Sequence, residues 1–187
     1  MKLVAKKTQP ILLGLFILLL ICSASVLYNH QYKVDHGTKL TVESIVGSSL
    51  FMIWSNYNSI LENETDMLTI EHINDIHVKL SVIEAYSDTV GRSVNTQLLT
   101  PIGKDMKVIT ESMQKSYKEN KKFTEQDQTK YATLINEITT LIPLIYKVYY
   151  VPESQEGAKV TLKVNNKEAL IEFRDKLKNY VSNLNNV

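Results

Sequence analysis

The hydrophobic positions of this chain follow a helical period over most of its length. From residue 40 onward, apolar side chains recur every three or four positions, the spacing of one face of an α-helix. The pattern predicts helices over about 40–61, 65–99, 102–117, 131–149 and 167–184. Joined by short loops, these helices predict an all-α fold, an antiparallel bundle of four to five helices within residues 38–187.

The predicted helix boundaries depend on residues that favour caps and turns. Asn63 or Thr65 is expected to cap the second helix. Pro101 is expected to end it, because proline disfavours the helical conformation in the residue before it. The fourth helix has the widest apolar face, so it should be the most buried, and Pro143 is expected to kink it about one turn earlier.

Residues 118–127 and 152–157 are expected to form loops. Residues 159–164 alternate polar and apolar side chains, the pattern of a half-buried strand. No second strand is evident to pair with this segment, and a lone strand is unstable. The segment is therefore predicted to be extended or to lead into the last helix.

An apolar segment precedes this helical region. Residues 11–28 contain no charged side chain, and the first eleven of them offer no polar face. Eighteen helical residues span roughly 27 Å, close to the ~30 Å hydrocarbon core of a bilayer. The sequence therefore predicts a transmembrane helix over residues 10–28, which contacts membrane lipid through residues 11–28.

Charge predicts how this segment is oriented. Lys2, Lys6 and Lys7 precede it, and Asp35 is the first acidic residue after it. Basic residues favour the cytoplasmic side, so residues 1–9 are expected to form a cytoplasmic tail and the C-terminal domain to lie outside a cell membrane crossed once. Residues 29–37 are polar and aperiodic, which predicts a juxtamembrane linker that ends at a break around Gly37.

A cleaved signal peptide is the main alternative to this anchor. Small residues at Ser23, Ala24 and Ser25 would permit cleavage near Ser25, and the domain would then be secreted. The apolar run continues beyond that point to Tyr28, which favours an anchor that is retained. Cys22 resembles the acylated cysteine of bacterial lipoproteins, but a bulky isoleucine precedes it where those signals carry a small residue. All of these interpretations place the domain outside the cytoplasm.

Composition excludes several classes of function. Three of the 21 basic residues precede the apolar segment, so the rest of the chain has a small net negative charge against its 20 acidic residues. No basic patch indicates nucleic acid as a partner. Cys22 is the one cysteine, which excludes an intramolecular disulfide. The abundance of Lys, Ile and Asn is typical of bacterial proteins from AT-rich genomes.

The sequence contains no recognisable catalytic motif, so we expect no enzyme, cofactor or metal site. His72, Asp75 and His77 are the nearest approach to a ligand set. At about 100° per residue, the two histidines lie about 140° apart around a helix, so one metal ion is not readily bound by both. His77 falls on the apolar face and is expected to be a core or interface histidine whose ring is hydrogen-bonded.

Aromatic residues are the remaining candidates for contact with a ligand or partner. They are Trp54, Tyr57, Tyr146, Tyr149 and Tyr150, although aromatic residues at helical spacing more often belong to a core. By elimination, the chain is expected to be a membrane-anchored interaction or accessory module that binds a partner protein. The alternatives are an exported domain that binds a small ligand, and an enzyme without a recognisable motif.

Overall fold

Five helices and no strand form in the part of the chain that the structure describes. A computed structural model describes residues 2–151 and 159–184, with side chains from residue 16 onward. The helices are α1 Lys2–Glu62, α2 Ile70–Ser93, α3 Leu99–Asn120, α4 Glu125–Tyr149 and α5 Glu168–Leu184. The all-α prediction is confirmed.

Contacts divide the chain into two units, residues 1–41 and residues 42–187. In the first unit, every side chain described from Phe16 to Thr41 is exposed. Over the part of the chain that is described, no helix is both long enough and apolar enough to span a membrane. The side chains of residues 10–15, the beginning of the predicted span, lie outside that part.

The predicted linker over residues 29–37 is helical. α1 continues through Gly37, where an added Cβ would meet no atom within 4 Å, so the predicted break is wrong. The intrinsic propensities of residues 29–41 sum to roughly 5–8 kcal/mol less favourable than alanine. Because helical residues lie on both sides of this segment, no new helix has to be nucleated there. This accounts only in part for the helical conformation of residues 29–41.

The second unit has one hydrophobic core to which residues 42–62 of α1 and all four other helices contribute. From α1, the buried apolar residues are Val46, Leu50, Ile53, Tyr57 and Ile60, spaced three or four apart. This is the apolar face that the sequence predicts for residues 40–61. The periodic pattern therefore identifies the buried side of this part of α1.

Polar pairs show that α2 and α3 are antiparallel. Lys107 Nζ donates to Glu84 Oε2 at 2.9 Å, and Gln114 Nε2 donates to Asn74 Oδ1 at 2.8 Å. Residue numbers fall along α2 as they rise along α3, so the two helices run in opposite directions. Gly103 on α3 lies beside Glu84 on α2, where an added Cβ would make ordinary van der Waals contact at 3.5 Å from the Glu84 Cα.

α3 and α4 are also antiparallel. Lys130 Nζ donates to Ser112 Oγ at 2.9 Å, and Ser116 Oγ donates to Asp127 Oδ2 at 2.6 Å. α3 packs against α5 as well, and Met106 of α3 meets Tyr57 of α1. Among the described residues, α3 therefore contacts α1, α2, α4 and α5.

Two helix boundaries differ from their predictions. α2 is capped by Thr69, whose hydroxyl accepts from the His72 N–H at 3.1 Å, rather than by Asn63 or Thr65. α2 ends at Ser93, and Asn95 follows in the left-handed region at φ 53°. Pro101 lies in the first turn of α3 instead of ending α2, because backbone N–H groups in a first turn have no partner within the helix.

α4 contains more buried residues than any other helix described, as predicted. It begins with a capping box between Thr124 and Asp127 and continues through the exposed Pro143, so the kink stays a prediction. After α4, an isolated antiparallel bridge pairs Tyr150 with Val160. Residues 159–161 are thus extended, and their partner is the end of α4.

Candidate functional site

Three of the predicted aromatic residues surround one small cavity. Trp54 of α1 lies opposite Tyr146 of α4 and Tyr150, and the lining is completed by Leu50, Ile142 and Ile145. The cavity volume is about 10 Å³, the space of a single water molecule. A ligand larger than water would need these side chains to move.

Aromatic rings continue from this cavity to the surface. The Tyr146 and Tyr150 rings lie 4.8 Å apart between centroids, and the Phe51 and Trp54 rings lie 5.8 Å apart. Both pairs are tilted, a favourable arrangement for aromatic rings. Phe51 has 57% of its surface exposed. We call Phe51, Trp54, Tyr146 and Tyr150 the aromatic patch.

The bridge after α4 positions one side of this patch. Val151 N donates to the Lys159 carbonyl at 3.1 Å, and Thr161 N donates to the Tyr149 carbonyl at 2.9 Å. These two bonds hold the backbone on either side of Tyr150 in an extended conformation. Tyr149 and Tyr150 are adjacent in sequence, but Tyr149 is buried in the core whereas Tyr150 lines the cavity.

Tyr57 and Tyr149 belong to the core rather than to the surface. The Tyr57 hydroxyl lies 3.6 Å from the Met106 sulfur, and the Tyr149 hydroxyl has no hydrogen-bond partner among the described residues. Burial raises the pKa of both phenols above its usual range. Both side chains are buried in this conformation, and contact of Tyr57 or Tyr149 with a ligand or partner stays a prediction.

His72 belongs to a hydrogen-bonded group that the sequence does not reveal. Its Nε2 lies 3.2 Å from the Tyr131 hydroxyl of α4, which also accepts from the Thr65 N–H at 3.3 Å. The phenol donates to His72 when Nε2 carries no proton and accepts from it when Nε2 is protonated. Burial lowers the His72 pKa, with Asp75 opposing that effect. This group ties the loop between α1 and α2 to α4.

His77 is half-buried and its ring is hydrogen-bonded, which confirms the prediction for it. Its Nδ1 lies 3.0 Å from Thr110 Oγ1, and that hydroxyl donates to the Lys107 carbonyl at 2.7 Å. The hydroxyl is therefore the acceptor, and His77 carries its proton on Nδ1. His77 contacts α3 while His72 contacts α4, so the two rings serve different helix interfaces.

A buried ion pair at the start of α4 is hydrogen-bonded to serines of α3. Asp127 is fully buried, and its carboxylate accepts from the Thr124 N–H at 2.9 Å, the Thr124 hydroxyl at 2.8 Å and the Ser116 hydroxyl at 2.6 Å. The Lys130 ammonium lies 3.3 Å from the other carboxylate oxygen. Burial acts to raise the Asp127 pKa, but these hydrogen bonds outweigh it and hold the pKa below its usual value.

The sequence indicates only the local contacts of this ion pair. Thr124 followed three residues later by Asp127 fits a capping box, which the charged character of residues 118–127 obscures. Ser112 and Ser116 lie on another helix and carry no local signal. With its oxygens occupied by donors from α3 and α4, Asp127 has a structural role.

Comparison with known proteins finds similarity over part of the chain. Over 129 residues the chain is 30% identical to a protein of Shewanella denitrificans described as UPF0246 protein. The aligned region covers 66% of this chain and 46% of that protein, so the chain spans less than half of the relative's length. The chain matches no protein-family model and no solved structure.

Proposed function

We propose that this chain is a single-pass membrane protein whose helical domain lies outside the cytoplasm and binds a partner protein. The observation that carries the proposal is the charge-free run of residues 11–28 together with the exposure of its apolar side chains. Phe16, Leu19 and Leu27 are 61%, 65% and 68% exposed, respectively. Apolar surface of this extent is a poor match for water and a good match for lipid.

The proposed orientation is supported by Lys2, Lys6 and Lys7, which precede the run and favour the cytoplasmic side. Residues 42–187 then lie outside the membrane, where their core needs no disulfide because apolar packing extends through all five helices. The UPF0246 similarity covers too little of the relative to support a more specific activity.

The proposed contact for a partner protein is the aromatic patch. Its rings combine an exposed Phe51 with Tyr146 and Tyr150, which are half-buried. Aromatic residues of this kind are enriched in the cores of protein interfaces. A cavity of about 10 Å³ favours a partner surface over a small ligand, because the surface needs no preformed pocket.

The anchor is tested by alkaline carbonate extraction of membranes from cells that carry the full chain with a C-terminal tag. We expect the chain to stay in the membrane pellet with its N-terminus intact. Leu19→Arg places a charge near the bilayer centre at a cost of about 2.5–3.5 kcal/mol and should lower the pelleted fraction. Leu40→Arg is the matched control, an exposed leucine outside the run, and should not. A chain found in the medium and beginning near Ser25 would contradict the anchor.

The partner contact is tested by crosslinking in intact cells, followed by solubilisation and mass spectrometry of proteins bound to the tag. Phe51→Ser should abolish recovery of the partner, since Phe51 is the most exposed ring of the patch. Val78→Ser, which alters a valine that is 61% exposed on α2, should leave recovery unchanged. Equal recovery with both variants would place the contact elsewhere.

A further inference from the structure

The loop between α1 and α2, residues 63–69, makes one hydrogen bond to another helix among the described residues. Its Thr65 N–H donates to the Tyr131 hydroxyl of α4 at 3.3 Å. The other hydrogen bonds of the loop are local and join residues no more than four positions apart. Leu68 adds a half-buried apolar contact with the core. The polar attachment of the loop to α4 therefore depends on the Tyr131 hydroxyl.

The same hydroxyl is hydrogen-bonded to His72 of α2. His72 Nε2 lies 3.2 Å from the oxygen, and the two rings meet edge to face with 5.7 Å between their centroids. A neutral imidazole that carries its proton on Nδ1 leaves Nε2 as an acceptor. The Thr65 N–H then donates to the phenol and the phenol donates to His72, so every donor has an acceptor. These bonds form a chain from the loop through α4 to α2.

Protonation of His72 disrupts this chain of hydrogen bonds. Both ring nitrogens of an imidazolium are donors, so the phenol oxygen then meets two donors, one from Thr65 and one from His72. Among the described residues the phenol has no other hydrogen-bond partner, and Tyr131 is only 4% exposed, so the phenol proton is left buried without an acceptor. An unsatisfied buried donor is destabilising, and separation of the loop and the imidazolium from the phenol relieves it.

The charges on α2 leave His72 neutral while its ring is packed against Tyr131. Burial lowers the His72 pKa, Asp75 opposes this effect, and Lys79 adds to it. Asp75 and Lys79 form an ion pair with each other, so the attraction of the carboxylate for an imidazolium is partly balanced. A ring that moves into water escapes the burial and binds a proton more readily. Protonation and release of this contact therefore favour each other.

Tyr131 keeps its proton throughout the pH range in which His72 titrates. Burial raises the Tyr131 pKa above its usual value, and Glu64 and Asp66 of the loop act in the same direction. We propose that His72 and Tyr131 form an acid-sensitive latch, which holds residues 63–69 against α4 while His72 is neutral and releases them when His72 is protonated. The latch gives the domain a connection between α1 and α2 that loosens in mild acid while the core stays folded.

The latch is tested by hydrogen exchange of the Thr65 amide in the purified full chain, divided at each pH by the rate of an unprotected amide. With a free imidazole pKa of about 6.5, protonation of His72 can shift the release equilibrium by at most about tenfold between pH 7.5 and 5.5. We expect the corrected exchange at Thr65 to rise several-fold, up to this limit. The Met106 amide of α3 should show no comparable rise. An equal rise at both amides would mean that acid loosens the whole domain, and it would overturn the latch.

Three variants assign the effect to the two rings. His72→Gln keeps a side chain that both donates and accepts but does not titrate, so it should abolish the rise. His77→Gln is the matched control, because it changes the other histidine of α2, which contacts Thr110 of α3, and should retain the rise. Tyr131→Phe removes the acceptor of the Thr65 N–H and should give fast exchange at both pH values. A rise that survives in His72→Gln, or a Thr65 amide that is already unprotected at pH 7.5 in the natural chain, overturns the latch.

Discussion

Replacing Asp127 with alanine removes the carboxylate that fastens the start of α4 to α3. Three donor atoms on Thr124 and Ser116 lose their acceptor, and the Lys130 ammonium, 3.3 Å away, is left buried without its counter-ion. Removing one partner of a buried ion pair costs about 3–5 kcal/mol. Folded domains have a total stability of only about 5–15 kcal/mol, so the loss is large.

The assay is thermal unfolding of the purified full chain in detergent, followed by circular dichroism. For a chain of this length, 1 kcal/mol corresponds to about 2–4 °C, so Asp127→Ala should lower Tm by about 6–20 °C. Asp88→Ala is the matched control, because its partner Arg92 lies at 2.7 Å but both side chains are exposed. An exposed helical pair is worth about 0.3–0.5 kcal/mol, or at most 2 °C. Equal shifts from the two substitutions would refute the structural role of Asp127.

The Asp127 contribution also has a predictable dependence on pH. Hydrogen bonds hold its folded-state pKa below the unfolded value of about 3.9, so the contribution is present above that pH and is lost as pH falls through the folded pKa. The stability difference between the natural chain and Asp127→Ala should therefore be constant near neutrality and shrink in acid. A difference that grows below pH 4 would mean that the carboxylate is not the stabilising form.

Three further predictions follow from buried and open positions. Tyr149→Phe should keep or raise the urea midpoint, because it removes a buried hydroxyl without a partner among the described residues and leaves the ring in place; a loss above about 1 kcal/mol would reveal a bond to that hydroxyl. For His72, burial lowers the folded-state pKa, so stability should fall as pH drops below about 6.5, and His72→Gln should show a weaker dependence between pH 7.5 and 5.5 by the same unfolding assay. Gly37→Ala, at a position with open space, should favour the helix by about 0.5–1 kcal/mol and raise the temperature at which helical ellipticity is lost, whereas an unchanged melting curve would mean that residues 29–41 are not helical in solution.

The sequence predicts the helices well because their buried faces are strongly periodic. In α5, Leu170, Phe173, Leu177 and Val181 are buried at the spacing that the pattern predicts. The helix boundaries are harder to predict, because two nearby residues can each serve as the N-cap. Thr69 caps α2 although Thr65 fits the sequence equally well, because only the folded chain decides which hydroxyl meets a free N–H.

The candidate site depends on contacts between distant parts of the chain, which a sequence pattern does not encode. Trp54 and Tyr146 meet across two helices, and the Lys130 ammonium finds Ser112 on α3. Tyr149 and Tyr150 are neighbours in sequence, yet the end of α4 between them buries the first and leaves the second half-exposed. Composition identifies such residues as candidates, and the fold decides which of them share a surface.

The position of α3 within the second unit determines how the domain opens. Because α3 packs against α2, α4 and α5 and also meets Tyr57 of α1, its amides are released only when all of these interfaces separate. Hydrogen exchange of α3 should therefore proceed through global unfolding alone, while α5, which packs against α3 and α4 through four buried residues, can detach at lower free energy. The domain would then keep a persistent α2–α3–α4 centre while α5 samples detached states.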